Sequence, residues 1–111
     1  MSIKKVTLKE SFKAFSEHWS PRIVGELNGQ HIKLVKAKGE FVMHKHDDED
    51  EMFMVLEGQL LIELEGESLE INPGEFVIIP KGTQHKPIAV VETKLMLFEP
   101  KSTEQYGSFD E

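Results

Sequence analysis

The sequence predicts an all-β fold, a sandwich or barrel of many short strands preceded by one short helix, and three observations carry that expectation. Turn signals built on glycine recur at short intervals: Asn28-Gly29, Lys38-Gly39, Glu57-Gly58, Glu65-Gly66, Asn72-Pro73-Gly74 and Lys81-Gly82. The segments between them have the length and composition of strands. Helical periodicity is confined to the start of the chain, where Leu8, Phe12 and Phe15 follow at i, i+4 and i+7.

Taken in order, Thr7-Leu8-Lys9-Glu10 fits a capping box and opens the helix, which is expected to act as a packing arm or a lid. Asn28-Gly29 is a strong hairpin turn, so Arg22 to Leu27 and His31 to Ala37 are read as its two strands. Further strands are expected at Glu40 to His46, Met52 to Leu56, Gln59 to Leu64, Ser68 to Ile71, Phe76 to Ile79, His85 to Val91 and Lys94 to Phe98. These elements are expected to form a single domain spanning 1–111, with a core at about 22–99, an N-terminal arm at 1–21 and a polar, disordered tail at 100–111.

A chain of 111 residues is long enough to bury a core without disulfides or a structural metal. It has no cysteine, which excludes a thiolate nucleophile, a disulfide framework and a sulfur-ligated cluster. A formal charge of −7 argues against nucleic acid as a partner, because its binders need a basic surface to neutralise phosphates. No apolar run is long enough to span a membrane, and the N-terminal residues are charged and polar, so a cytoplasmic protein with small-molecule partners is expected.

The chemistry concentrates in four residues. His44 and His46 stand two apart in an extended stretch, and side chains at i and i+2 of a strand share a face, so two nitrogens converge. A turn through Asp47 to Asp50 would bring Glu51 beside them, and His85 follows the Pro80 to Gly82 turn from further along the chain. Three imidazoles and one carboxylate could close around a divalent transition metal using nitrogen and oxygen ligands alone.

At these residues the chain resembles the cupins. Gly39, His44, His46, Glu51 and Gly58 fill the family's first motif, with the first gap one residue short, and Gly74, Pro80, Gly82 and His85 fill the second. Ala89 stands where the family often has asparagine. The gap to Gly58 selects Glu51 over Asp50 as the family's carboxylate. The resemblance, covering Gly39 to Ala89, implies a double-stranded β-helix, or jelly-roll barrel, holding one metal ion per chain at His44, His46, Glu51 and His85. Zn, Mn, Fe, Ni and Cu are not distinguished by that ligand set.

The other candidates receive plainer readings. His18 and His31 are read as structural or surface histidines, and Lys45, Lys81 and Lys86 as solvent-facing. Val42, Phe53, Val55 and Ala89 are expected to line an apolar pocket, Met43, Met52, Met54 and Leu56 to lie on the alternate face, and Trp19 to be a packing anchor under the N-terminal arm, the alternative being an aromatic wall at the pocket mouth. The family includes dioxygenases, sugar isomerases and epimerases, decarboxylases and hydrolases. The expected function is therefore a metal-dependent small-molecule enzyme, possible reactions including oxygenation and isomerisation, and the alternative is a metal-dependent binding or sensing module without turnover. Cupins are often dimers, and the apolar content of Thr7 to Leu27 leads to the expectation of a symmetric homodimer in which this region takes part.

Overall fold

The computed structural model describes residues 3–107. A short helix, α1 (Leu8–Lys13), precedes seven strands: β1 (Arg22–Leu27), β2 (Gln30–Glu40), β3 (Glu51–Glu57), β4 (Leu60–Leu64), β5 (Glu67–Ile71), β6 (Phe76–Ile79) and β7 (Lys86–Pro100). All the paired strands are antiparallel. Their order is β1-β2-β7-β3-β6, with β4 bridging β5 and the start of β7. The all-β jelly roll with a short N-terminal helix that the sequence predicts is what forms.

Strand β7 organises both halves. Its first residues pair with β4 through Lys86, Pro87 and Ile88, while Thr93 to Pro100 run beside β2, and Lys94 to Phe98 also pair with β3. The sequence predicts two strands here, His85 to Val91 and Lys94 to Phe98. They are one continuous strand, because the register shift between Ala37 and Gly39 of β2 lets β7 bend from one sheet to the other without a turn.

The strand expected at Glu40 to His46 is a second correction. Regular pairing ends at Glu40, and the chain continues as an irregular extended segment tied to residues 82–87. The Phe41 amide donates to the Pro87 carbonyl at 2.9 Å, His44 and His85 exchange backbone hydrogen bonds at 3.0 and 2.8 Å, and the Gly82 amide donates to the His46 carbonyl at 2.7 Å. Alternation survives this irregularity: His44 and His46 point inward with Lys45 between them.

The main core lies between the sheets, where Val55, Leu60, Ile62 and Leu95 are fully buried with Ala37 and Ala89. The second cluster, Phe12, Phe15 and Leu34, packs with Leu8, Val24, Leu56 and Met96 under α1. The arm is thus packing, not a lid. Thr7 caps α1 without a side-chain hydrogen bond, so the predicted capping box does not form. Because Phe12 and Phe15 are consumed within the chain, they offer no apolar surface to a partner.

The tail also departs from expectation. Residues 101–107 fold back over one end of the barrel, starting with the Lys101 amide on the Gly29 carbonyl and the Thr103 amide on the Pro100 carbonyl. The expected disorder at 108–111 lies outside the described residues, as do Met1 and Ser2 of the arm.

Candidate metal centre

Three backbone features bring the four predicted ligands together. The antiparallel bridge between His44 and His85 sets two rings side by side, with centroids 4.4 Å apart. Glu51 opens β3, and its period-2 alternation points Glu51, Phe53 and Val55 inward. Asp50 accepts a hydrogen bond from the Lys81 amide at 2.8 Å, which ties the acidic turn before Glu51 to the Pro80–Gly82 turn before His85. The remaining acidic residues of that run do not join the cluster; Glu49, for example, accepts from the Ser102 hydroxyl.

The result is a buried group of His44, His46, Glu51 and His85 whose ligand atoms lie within 4.8 Å of one another and could hold a metal ion. The Nδ1–H groups of His44 and His85 donate to the carbonyls of Val42 and Thr83, each at 2.9 Å. A carbonyl can only accept, so in the neutral ring the tautomer follows, and each Nε2 has its lone pair for the shared centre. Nε2 of His46 and Nε2 of His85 both stand 3.4 Å from Glu51 Oε1, too far for a good hydrogen bond. All three atoms are buried without a hydrogen-bond partner. Such orphaned polar atoms cost about 1–3 kcal/mol each. A metal ion bound by these residues would satisfy all of them, and imidazole with carboxylate suits a divalent first-row metal.

The electrostatics agree with that chemistry. Burial pushes the His44 imidazole down to about 4, which keeps it neutral and able to ligate. Burial opposes ionisation of Glu51, but the imidazoles of His46 and His85 outweigh it and hold the carboxyl well below its ordinary range.

The centre opens into a narrow slot walled by Trp19, Val35, Phe41, Phe53, Leu95 and Leu97, with His44, Glu51 and Glu99 as its ionisable groups. About 400 Å³ of unfilled space extends to the mouth, but the centre of a water molecule can move through only about 30 Å³ of it. Of the predicted lining, Phe53 is in place. Val55 and Ala89 are instead wholly in the core, and Val42 faces outward. Trp19 packs against the main core and takes up the second of its two readings, an aromatic wall. Its backbone adopts φ 54°, its indole N–H donates to the Lys38 carbonyl, and its ring meets Phe41 at 5.1 Å to form a pocket wall. Tyr106 stacks on the same Phe41 at 5.1 Å, and the Gln105 side-chain amide donates to the Trp19 carbonyl, so the C-terminal segment covers the mouth.

His18 and His31 stay away from the centre, beside Glu92 and Glu26 respectively. Glu99 is the functional candidate that the strand pattern did not reveal. It is buried on the inner face of β7, ion-paired with buried Lys33 at 2.7 Å. Burial and then the neighbouring Glu51 push its carboxyl up to about 8, against the pull of Lys33. The one available signal was alternation: Leu95, Leu97 and Glu99 share a face, but the expected strand ended at Phe98.

Comparison with known proteins agrees with this architecture. A cupin-2 domain containing protein from Shewanella frigidimarina superposes with a TM-score of 0.85 at 45% identity, covering 86% of this chain and 94% of that one. The YdbB protein of Bacillus subtilis is 37% identical over 82 residues, 73% of each chain. Quercetin 2,3-dioxygenase of Bacillus subtilis is 37% identical over 62 residues, which are 52% of this chain but only 18% of that enzyme. The family model for the cupin domain matches residues 31–99. That match takes in more than half the chain and every residue of the buried histidine–carboxylate cluster, and the chain belongs to the cupin family.

Proposed function

We propose that His44, His46, Glu51 and His85 bind one divalent transition metal per chain and present it to a small molecule as part of an enzyme. The observation that carries this reading is the set of buried, unpartnered ligand atoms converging at the inner end of an apolar slot. A bound ion would supply Lewis-acid chemistry, or redox chemistry if it is Fe, Mn, Ni or Cu rather than Zn. The chain's own residues do the rest. His44 and His85 stay oriented through their Nδ1–H bonds, Trp19 and Phe41 hold a flat or slim apolar group, and the C-terminal segment excludes water.

Oxygenation and sugar isomerisation or epimerisation are the two reaction classes we favour, and likeness to part of a quercetin dioxygenase supports the first. The narrowness of the slot also favours planar substrates over bulky saturated rings. Metal analysis of untagged protein purified without added metal, followed by oxygen-uptake and isomerase assays on substrate panels, tests the reading. Absence of stoichiometric metal would end it. Metal and ligand binding with no turnover in any assay would favour a binding or sensing module instead.

We also propose a symmetric homodimer and a cytoplasmic location. The outer face of the five-strand sheet carries Met52, Met54 and Phe98 beside Phe76 and Ile78, and the last two are 56% and 55% exposed. Light scattering at tens of micromolar is expected to give twice the chain mass. Fractionation of native cells checks the compartment.

A further inference from the structure

Glu99 and Lys33 form a buried ion pair in the wall of a pocket that is otherwise apolar apart from the metal centre. Their placement follows from register. Lys33 pairs with Leu97 across β2 and β7, so Lys33 and Glu99 are diagonal neighbours on the inner face. Met52 pairs with Phe98 across β3 and β7, so the next position of that ladder sets Glu51 beside Glu99 on the same face. Lys33 Nζ holds Glu99 Oε1 at 2.7 Å, while Glu99 Oε2 is buried without a hydrogen-bond partner.

Stability does not explain the pair. Burying an ammonium group against a carboxyl is expensive, and apolar residues of similar volume often serve the fold equally well or better. What the pair does accomplish is geometric. It fixes a carboxyl group against the one carboxylate of the metal centre, leaving Glu51 Oε1 aimed between His46 and His85 at 3.4 Å from each.

We propose that Glu99 is the positioning residue for Glu51, and that Lys33 in turn positions Glu99. Lys33 holds one oxygen of Glu99, and the Glu99 side chain stands beside Glu51 on the same face, where it limits how far that carboxyl can turn away from His46 and His85. Groups of this kind, set against a metal ligand and not on the metal, orient the ligand and tune its basicity. The inference rests on the metal reading of the four ligands.

The test loads the full-length protein with cobalt(II), whose visible absorption reports coordination geometry, and compares two variants. The double variant Lys33→Met with Glu99→Leu leaves no stranded charge and is expected to weaken cobalt(II) binding by about 10- to 100-fold, with altered visible bands. Glu99→Gln can still take a hydrogen bond from Lys33, and is expected to keep the wild-type affinity and spectrum. Should the double variant not fold, Glu99→Asp, which withdraws the carboxyl by one methylene, is expected to show the same weakening. Cobalt(II) affinity and spectrum unchanged in the double variant, or in Glu99→Asp in its place, overturn the inference, as does a Glu99→Gln protein as defective as those variants. A fall in melting temperature with an unchanged spectrum would mark a merely structural pair and also overturn it. Wild-type protein that takes up no cobalt(II) overturns the metal reading and this inference together. Uptake that His85→Ala abolishes but the Glu99 variants leave intact overturns this inference alone.

Discussion

Removing the ion from metal-loaded protein is expected to lower the melting temperature by about 12 °C without unfolding the chain at room temperature. A ligand that binds only the folded state at a hundredfold excess over its dissociation constant adds about 2.7 kcal/mol. Unfolding entropy of about 2.1 cal/mol/K per residue over 111 residues converts that into the stated shift. The fold survives because its core, centred on Val55, Leu60, Ile62 and Leu95, makes no use of the ion. The assay is calorimetric melting at fixed metal excess with and without chelator, with metal content measured on the same samples. His46→Ala and His85→Ala are expected to lose most bound metal, keep β-rich circular dichroism and become insensitive to chelator, while His31→Ala behaves as wild type. If verified loss of metal leaves the melting curve in place, or if both ligand variants retain stoichiometric metal, the assignment is refuted.

Three further outcomes are expected. In metal-free protein Glu99, raised to about 8, keeps a proton in the fold that the unfolded chain releases near 4.5, so it removes stability as pH rises between those values. His44, lowered to about 4 from 6.5, acts oppositely up to pH 6.5, which leaves a net loss of stability as pH rises from 6.5 to 8; a flat denaturation profile there, or one that Glu99→Gln does not flatten, contradicts the assignment. Ala89→Asn introduces an amide at a fully buried position opposite Gly39, and its melting temperature is expected to fall by an amount equivalent to about 1–3 kcal/mol with metal content unchanged. Gly58→Ala is expected to cost at least about 1 kcal/mol in denaturant unfolding, because φ is 92° and the new methyl would stand 2.5 Å from Thr93 Oγ1 and 2.8 Å from the Glu92 carbonyl.

The parts of the molecule that could be read in advance are those governed by local rules. Hairpin chemistry at Asn28-Gly29 located β1 and β2, and the two-residue spacing of His44 and His46 located half of the centre, because alternation persists even where regular pairing fails. What could not be read depends on the path of β7. Its bend past the irregularity at Gly39 carries Ala89 into the core and Pro87 to the pocket, so a face count from His85 alone misplaces the lining. Glu99 lay one residue past the expected end of its strand, and a lone inward carboxylate is uninterpretable until Lys33 and Glu51 are seen across the ladder. Trp19 needed a positive φ that no ordinary turn signal announces. The closure by residues 101–107 depends on long-range contacts of a polar segment that carries no periodicity.

That closure turns access to the slot into a rate problem. The Phe41–Tyr106 stack contributes about 0.5–1.5 kcal/mol. The hydrogen bonds from Gln105 to Trp19 and from Ser102 to Glu49 add about 1 kcal/mol each. Together these contribute roughly 3 kcal/mol against the entropy of ordering the segment, a margin small enough for spontaneous opening on the microsecond-to-millisecond scale. Gly107 sets how closely the segment seats, since a Cβ there would collide with the Lys45 carbonyl beside His44. For a small molecule held in the slot, residence time would be governed jointly by its own contacts and by the fraction of time the segment spends lifted. Two occupants of equal affinity could leave at different speeds if one of them props Tyr106 away from Phe41.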